Sequence, residues 1–298
     1  MMINRPSRPA YKRMPLEVAV YDPYAPFYAQ QAGASRIELN AQGSYAVGGL
    51  TPTVDNVKYV RPRISVGLHI TIRPRPAPED GSPDYVYTTD EIEEMIESME
   101  KFKNAGVLNP FRGDRFVLGA LRKAIDYEME ENSTSVVRID EHACRALLHA
   151  AKPFGCFFSH AFDHVVESGL GKEGADLLLR LGFEGIITAG GREGSCADVA
   201  NVDFIDNLCH HFTNRLDITV GDNIWHGSFN LPASRLAVYD EGTVWLRTDA
   251  IRSTDDNGEP VIDYDRLFDL TQGLSSIQPD WKDPAGHWLA HYGHLATG

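Results

Sequence analysis

Cysteine is scarce in this sequence, and its spacing excludes several classes of protein. The 298 residues include four cysteines, none of them in a C-x-x-C pair or at a zinc-ribbon spacing. Scattered cysteines in a chain of this length are typical of a protein that keeps its thiols reduced. We therefore expect a cytoplasmic protein without a disulfide framework or a structural zinc site.

Long apolar runs and an excess of positive charge are also missing. No apolar run approaches the roughly 20 residues that a membrane-spanning helix needs, and the opening MMINRPSRPAYKRM has no apolar signal-peptide core. The 28 lysines and arginines are outnumbered by 42 aspartates and glutamates, which gives a formal net charge of −14. Because an acidic surface repels phosphate backbones, we expect neither a nucleic-acid partner nor a membrane partner.

Familiar catalytic signatures are absent as well. The sequence contains no P-loop, no H-E-x-x-H pair and nothing that resembles a Ser-His-Asp triad. G-x-G-x-x-G does not follow the first predicted strand, which argues against the dinucleotide-binding form of an open α/β sheet. Any reaction therefore has to be inferred from polar residues at strand ends.

Short apolar runs alternate with amphipathic helical stretches, in eight strand–helix units. Parallel strands need crossover helices, and eight such units match an α/β fold of the single (β/α)8 TIM barrel type. An open, doubly wound sheet is the alternative. We predict a disordered basic tail at 1–14, one barrel at 15–276 and a C-terminal tail at 277–298. The predicted strands are 16–21, 36–40, 65–73, 115–121, 155–160, 185–190, 216–222 and 243–248.

The stretch HITIRPRP ends a predicted strand with two arginines around a proline. His69, Thr71 and Arg73 alternate with apolar residues and share one face, which we expect to be the barrel interior near its mouth. Arginine forks bind carboxylate or phosphate through paired hydrogen bonds. We predict that Arg73 is buried against Glu38 and that Arg75, beyond the proline, reaches a ligand anion. A purely structural ion pair is the alternative.

Several motifs resemble the CutC family of copper homeostasis proteins. LEVAVYDPYAPFYAQQAGASRIELNAQGSYAVGGLTPT is similar to the family's opening, HITIRPR matches its Ile-Arg-Pro-Arg strand, and SHAFD (159–163) and IITAGG (186–191) resemble two later strand ends. The resemblance implies a TIM barrel, a role in copper homeostasis with copper ion binding, and a homo-oligomer. Its partner would be a metal ion or a small anionic ligand.

The sequence departs from the family at several of these motifs. Asn40 stands where the second strand of the family usually ends in cysteine, and Ala19 and Val20 stand where its first strand often carries cysteines. Ser159 and His160 replace a His-Arg pair. The thiols proposed to bind copper in the family are therefore absent, and we predict a divergent member.

Polar residues at the predicted strand ends are the candidate site residues. The loops at 41–53, 76–88, 122–138 and 249–262 follow strands and lie at the C-terminal mouth, where the active sites of TIM barrels are built. Candidates for catalysis are Glu38, His69, His160 and Asp163, and candidates for ligand binding are Arg73, Arg75, Asn40, Ser159, Thr188, Asp222 and Arg247.

Alternatives stay open for several of these residues. Glu38 can act as a general base, or as an ionised anchor if an arginine lies beside it. Cys156 and His160 are the metal candidates, since thiolate and imidazole suit Cu(I), although a core cysteine is the alternative for Cys156. Glu17, deeper in the barrel, is expected to pair with an arginine.

Two functions follow from these observations. The first is CutC-like copper homeostasis with a polar pocket at the barrel mouth, where copper as cofactor is implied by the resemblance alone. The alternative is a TIM-barrel lyase, isomerase or hydrolase acting on a small anionic metabolite, with Arg75 reaching the anion beside His160 or Arg247. A tail with His287, His291 and His294 offers a further metal patch if it is helical.

Overall fold

The computed structural model describes residues 11–124, 137–191, 194–212, 214–221, 224–225, 227–239, 242–249, 251–254 and 260–280. The strands are β1 (Leu16–Val20), β2 (Arg36–Leu39), β3 (Gly67–Thr71), β4 (Arg115–Leu118), β5 (Leu121–Lys123), β6 (Val137–Ile139), β7 (Cys156–Phe158), β8 (Gly185–Thr188), β9 (Asp217–Gly221), β10 (Val244–Thr248), β11 (Ile251–Thr254) and β12 (Pro260–Ile262). The helices are α1 (Ala25–Ala32), α2 (Val54–Val60), α3 (Thr89–Asn104), α4 (Glu141–Ala151), α5 (Ala161–Glu167), α6 (Gly171–Leu181), α7 (Val199–Phe212), α8 (Asn230–Leu236) and α9 (Tyr264–Leu274).

Eight parallel strands close into a barrel in the order β1, β2, β3, β4, β7, β8, β9, β10. The prediction of a (β/α)8 fold is confirmed, and each predicted strand overlaps one barrel strand. Two antiparallel strand pairs, β5–β6 and β11–β12, lie outside the barrel sheet and follow its fourth and eighth strands. They belong to the connections that rise from the C-terminal ends of those strands.

Alternation along β3 shows how the sequence sets the two faces of the barrel. Leu68 and Ile70 are fully buried in the large core between the sheet and the helices. His69 and Thr71 point inward, where they contact Glu17 and Glu38 respectively. The interior placement predicted for the polar residues of this strand is confirmed. The barrel interior is therefore polar at this position, and the apolar core lies mostly outside the barrel.

Helix α3 is held at its start by a capping box. Thr88 accepts a hydrogen bond from the backbone N–H of Glu91, and the Glu91 carboxylate accepts one from the backbone N–H of Thr88. Such a cap contributes about 1 kcal/mol to helix stability. Because the Glu91 carboxylate also forms an ion pair with Arg75, the cap fixes the end of the loop that follows β3.

The two ends of the described chain meet at the N-terminal end of the barrel. Lys12 and Ile277 pair as an antiparallel bridge, and the backbone of Met14 donates to Leu274. The predicted histidine patch at 287–294 lies outside the described residues. None of the described helices is both long and apolar enough to cross a bilayer.

Candidate functional site

Two layers of ionic side chains fill the barrel interior, and the lower layer lies toward the N-terminal ends of the strands. Arg36 on β2 binds Glu17 on β1 at 2.5 Å and donates to the Thr219 hydroxyl on β9 at 2.7 Å. Its guanidinium also stacks over the rings of Phe157 and Trp245, with 4.9 and 4.0 Å to their centroids. The pairing of Glu17 with an arginine is as predicted. We name Glu17, Arg36 and Thr219, together with His69, the lower layer.

His69 belongs to this lower layer rather than to the mouth. Its Nδ1 lies 3.2 Å from Glu17, its ring packs against Phe157, and it is 1% exposed. Burial and the charge of Arg36 lower its pKa, so the imidazole is neutral at physiological pH. A catalytic role at the mouth was predicted for His69, and the structure places it at the wrong height for that role.

The upper layer lies closer to the C-terminal mouth. Arg247 on β10 donates its Nε to Glu38 on β2 at 2.7 Å, and Thr71 and Asn40 donate to the other oxygen of Glu38 at 3.0 and 3.4 Å. Burial acts to lower the pKa of Arg247, but the Glu38 carboxylate outweighs it and holds that pKa above its ordinary value. Glu38 and Arg247 are therefore a fixed ion pair, which we name the upper layer.

A narrow pocket opens directly above the upper layer. Its volume is about 30 Å³, room for roughly two water molecules, since one water needs about 10–15 Å³. A head group of a few atoms fits without movement, while a whole metabolite has to extend toward the loops. The lining residues are Glu38, Gly48, Thr71, Ile72, Arg73, Tyr85, Tyr87, Val117, Gly119, Ser159, His160, Ile187 and Arg247.

The loop that carries GGLTP folds over this pocket and holds Arg73. The guanidinium donates to the carbonyls of Val47 and Gly49 at 2.6 and 3.0 Å, and to Asp84 at 2.8 Å. Gly49 has φ 87°, and a Cβ there would lie 2.2 Å from Oδ1 of Asn40, so only glycine lets the loop come this close. The loop and Arg73 are thus built as one unit.

The predicted pairing of Arg73 with Glu38 is wrong. Glu38 is in register with His69, and β3 ends at Thr71, so Arg73 lies four residues further along the chain, on the mouth side of Glu38. At that height the available carboxylate is Asp84 in the loop. Arg247, a long side chain from the other side of β1, takes the place beside Glu38.

Arg75 is not among the residues that line the pocket, which corrects the second half of that prediction. Its Nε binds Glu91 of the α3 cap, and another nitrogen donates to the carbonyl of Val86 at 2.8 Å. The chain turns outward after the proline, and Arg75 fastens the loop to the helix. It reaches neither His160 nor Arg247.

His160 faces the pocket from the start of α5. Its Nδ1 lies 2.9 Å from Oδ2 of Asp163, and its Nε2 lies 3.4 Å from a guanidinium nitrogen of Arg247. Asp163 is buried and also accepts hydrogen bonds from the Thr188 hydroxyl at 2.5 Å and the backbone of Ala189 at 3.0 Å. The structure thus joins three predicted residues, His160, Asp163 and Thr188, in one network.

Comparison with known proteins identifies the family. The family model described as "CutC family" matches residues 14–238, about three quarters of the chain. The chain belongs to the CutC family. A CutC family protein of Xanthomonas campestris (strain B100) is 31% identical over 211 residues, covering 71% of this chain and 75% of the relative.

Other relatives agree with this assignment. The Drosophila melanogaster copper homeostasis protein cutC homolog is 30% identical over 178 residues, 59% of this chain and 57% of the relative. A solved CutC structure from Streptococcus agalactiae superposes with a TM-score of 0.60 at 23% identity, covering 79% of this chain and 98% of that one. That structural likeness supports the barrel fold.

The thiol positions of the CutC family are absent from this mouth. Asn40, at the family's cysteine position, is 1% exposed and bonds to Glu38 and to the carbonyl of Val20. Cys156 is a core residue beneath the helices, and burial raises its pKa far above the ordinary value. Burial likewise raises the pKa of Cys144 to about 12. These described cysteines are therefore buried thiols, and the core alternative for Cys156 is confirmed.

Metal donors are also too sparse for a preformed site. Among the residues the structure describes, no group of three or more His, Cys, Asp or Glu side chains is placed to hold a metal ion. Asp222 lies outside the described residues. Ser159, Arg73 and Arg247 line the pocket, as predicted for ligand-binding residues, while Thr188 and Asn40 are buried and are not among its lining residues.

The loop at 76–88 contributes residues that were missed from the sequence. Tyr85 and Tyr87 line the pocket and Asp84 holds Arg73. Tyr85 adopts φ 61°, a conformation rare for an aromatic residue and common where strain serves a site. The alternation in DYVYTT was the available signal, since it places both tyrosines on one side of the segment.

A second, larger cavity of about 290 Å³ opens at the opposite, N-terminal end of the barrel. Its arginines are already paired: Arg36 within the lower layer, and Arg115 with Glu184 and the carbonyl of Pro110. Asp217 also lines it, and burial raises the pKa of this carboxyl to about 6. We name this the N-terminal cavity.

Proposed function

We propose that this protein takes part in copper homeostasis, and that its working site is the pocket above the upper layer. Membership of the CutC family supports the first part, since the Drosophila relative is named as a copper homeostasis protein. The position of the pocket supports the second part, because it lies at the C-terminal mouth where TIM-barrel sites are built.

The ligand that this pocket suits is the anionic head group of a small molecule. The observation that carries the proposal is that two residues lining the pocket each carry a buried polar atom, Nε of Arg73 and the hydroxyl of Tyr87, with no hydrogen-bond partner among the described residues. Buried polar atoms without partners are costly, and those in a binding site are commonly satisfied by the ligand. With the guanidinium of Arg247 nearby, both atoms favour an acceptor such as a carboxylate.

Copper bound directly on thiolates is the arrangement that these residues support least. Cys156 is buried with a raised pKa, and the pocket is lined by the cationic side chains of Arg73 and Arg247. Thiolates, rather than thiols, bind metals, and cationic walls disfavour a free cation. We propose that copper acts with this protein through the ligand of the pocket and not through a cysteine site.

Titration with Cu(I) under reducing conditions tests the copper statement. Wild type is compared with Cys156→Ser and His160→Gln, against a competing chelator of known affinity. We expect that Cys156→Ser leaves Cu(I) binding as it is in wild type, because Cys156 does not hold a stoichiometric copper ion. Tight one-to-one binding lost in that variant would contradict the proposal, and binding lost only in His160→Gln would move the copper site to the mouth.

Calorimetric titration with propionate, a small carboxylate, tests the anion statement. We expect weak binding to wild type and none to the double variant Glu38→Gln/Arg247→Met. Removing both partners avoids stranding a buried charge, so the double variant should stay folded. Arg145→Met, which removes an exposed arginine of α4, is the matched control and should bind as wild type does. Equal binding by all three proteins would contradict the proposal.

The second candidate is an enzyme acting on such an anion, and the contact between His160 and Asp163 favours it. An imidazole oriented by a carboxylate is a common acid–base arrangement, and polar residues converge on this pocket from several strand ends. Loss of a turnover in His160→Gln with retained propionate binding would separate this candidate from simple binding.

Location and assembly are proposed from the composition and the family resemblance. We propose a cytoplasmic homo-oligomer. Light scattering that gives a multiple of the 33.1 kDa chain mass supports the assembly, and a mass near 33.1 kDa contradicts it. Fractionation of cells with an antibody to the protein tests the location.

A further inference from the structure

The neighbours of His160 determine which ring nitrogen carries the proton. On one side Nδ1 faces the carboxylate of Asp163, and a carboxylate that receives hydrogen bonds is an acceptor only. On the other side Nε2 faces the guanidinium of Arg247, which can only donate. Both neighbours therefore require the same neutral tautomer, with the proton on Nδ1 and a lone pair on Nε2.

Asp163 is itself fixed, so it cannot turn away from the imidazole. Its Oδ1 accepts from the hydroxyl of Thr188 and from the backbone of Ala189, and the hydroxyl of Thr188 in turn accepts from the backbone of Gly190. Asp163 is 4% exposed and Thr188 fully buried, whereas the side chain of His160 is 29% exposed. The rigid part of the network is thus buried, and the acceptor that it orients faces the pocket.

We propose that Asp163 and Thr188 are positioning residues that hold His160 as the Nδ1-protonated tautomer, so that Nε2 accepts a proton-bearing group of the ligand. This inference rests on the proposed function, because it deepens the specificity of the same pocket. It assigns Asp163 and Thr188 roles that act through His160 rather than on the ligand.

The ligand class follows from the two kinds of group that meet in the pocket. Arg247 and Arg73 offer donors to an anionic oxygen, and when the Arg247 nitrogen that lies 3.4 Å from Nε2 of His160 donates to that oxygen instead, the single lone pair of Nε2 is left to accept from the ligand. A small acid with a hydroxyl on the carbon next to its carboxylate satisfies both, since the carboxylate accepts and the hydroxyl donates. The narrow pocket admits this head group and leaves any longer chain toward the loops.

Nitrogen NMR of histidine-labelled protein tests the tautomer without any ligand. The chain has 11 histidines, and the His160 signals are assigned as those lost in His160→Gln, with His142→Gln as the matched exposed control. We expect a protonated Nδ1 and an unprotonated Nε2 in wild type. Asp163→Asn should reverse this tautomer, because its amide nitrogen would turn toward Nδ1 while its oxygen keeps the bonds to Thr188 and Ala189. A wild-type Nε2–H, or no change in Asp163→Asn, overturns the proposal.

Thr188→Val separates positioning from simple folding. It removes one bond to Asp163 and leaves the backbone bond from Ala189, so the protein should stay folded and the tautomer should become mixed. A melt that matches wild type together with mixed His160 signals supports the positioning role. Unmixed signals in this variant overturn the role of Thr188.

Paired ligands test the class. Lactate and propionate differ by one hydroxyl, and we expect lactate to bind wild type about tenfold more tightly, the effect of one hydrogen bond. In His160→Gln and Asp163→Asn this preference should fall to about twofold or less. Equal affinity in wild type, where both acids bind, overturns the hydroxy-acid inference and leaves the anion proposal standing. Binding of neither acid contradicts the anion proposal, while the NMR result still decides the tautomer.

Discussion

The two ionic layers inside the barrel use the same chemistry with different consequences. In the lower layer Glu17 and Arg36 bind one another and are closed in by Thr219, His69 and aromatic rings, and Glu17 also lies 3.5 Å from Arg247. In the upper layer Glu38 and Arg247 are equally well paired, yet they form the floor of a pocket. The height of an ion pair along the strands therefore determines whether other side chains enclose it or a pocket opens onto it.

The cavities at the two ends of the barrel differ in the same way. By volume alone, the N-terminal cavity would be the better candidate for a binding site. The N-terminal cavity, at about 290 Å³, is far larger than the mouth pocket, at about 30 Å³. Its arginines already have partners, and Nδ1 of His69, which makes no hydrogen bond of normal geometry, still lies 3.2 Å from the Glu17 carboxylate. At the mouth pocket, Arg73 and Tyr87 each carry a buried polar atom for which the described residues provide no partner. Unsatisfied donors are the better guide to a binding site, since a ligand gains most where it completes hydrogen bonds.

Arg36→Met should give the largest effect, because it breaks the lower layer on one side only. The variant leaves the carboxylate of Glu17 buried without its main partner, which costs about 3–5 kcal/mol of the free energy of unfolding. Urea denaturation monitored by circular dichroism measures the loss. Arg145→Met, in an exposed pair, is the control and should change stability by less than about 1 kcal/mol. A loss as small as the control's would show that the lower layer is not a structural element.

Arg73→Ala and Arg75→Ala should differ in stability. Arg73 is 6% exposed and bonds to two carbonyls and Asp84, so its removal should cost about 2–3 kcal/mol. Arg75 is paired with Glu91 in a partly exposed position, and its removal should cost about 1 kcal/mol or less. Thermal melts of the two variants compare them directly. Equal losses would contradict the different roles that the structure gives them.

Asp217→Asn should stabilise the protein at neutral pH and not in acid. Burial raises the pKa of Asp217 from 3.8 to about 6, so its stabilising contribution is complete below pH 3.8 and is lost as pH rises through 6. Asparagine does not ionise, so the Asp217→Asn variant keeps its stability as the pH rises. It should be about 1–2 kcal/mol more stable than wild type at pH 7.5. Denaturation curves at pH 4.5 and pH 7.5 measure the difference. If the stability difference between the variant and wild type is the same at pH 4.5 and pH 7.5, the raised pKa is contradicted.

The fold was predictable from the sequence because its signals are local. Alternating apolar residues mark the barrel strands, and the polar series His69, Thr71 and Arg73 correctly indicated an interior face. The motif GGLTP also has a local cause, since Gly49 occupies a left-handed conformation against Asn40. Each of these features depends on residues close together in the chain.

The candidate site was only partly predictable because partners are set by register. The alternation of residues along a strand shows which face a side chain takes. The register that places Glu38 beside His69 rather than near Arg73 depends on the stagger between strands, which no local pattern specifies. For the same reason, the height of His69 in the barrel could not be predicted, and it lies in the lower layer rather than at the mouth. The tyrosines of the loop at 76–88 were missed because loop conformation follows from tertiary contacts such as Arg73 with Asp84.

A crystal structure of the protein soaked with propionate shows which of the two cavities binds the anion, because both are open to it. We expect the carboxylate in the mouth pocket, accepting hydrogen bonds from Arg247 and from Nε of Arg73 or the hydroxyl of Tyr87. The N-terminal cavity should remain free of it. Propionate bound beside Arg36 or Arg115, with an empty mouth, would contradict the claim that unsatisfied donors above the upper layer make the functional site.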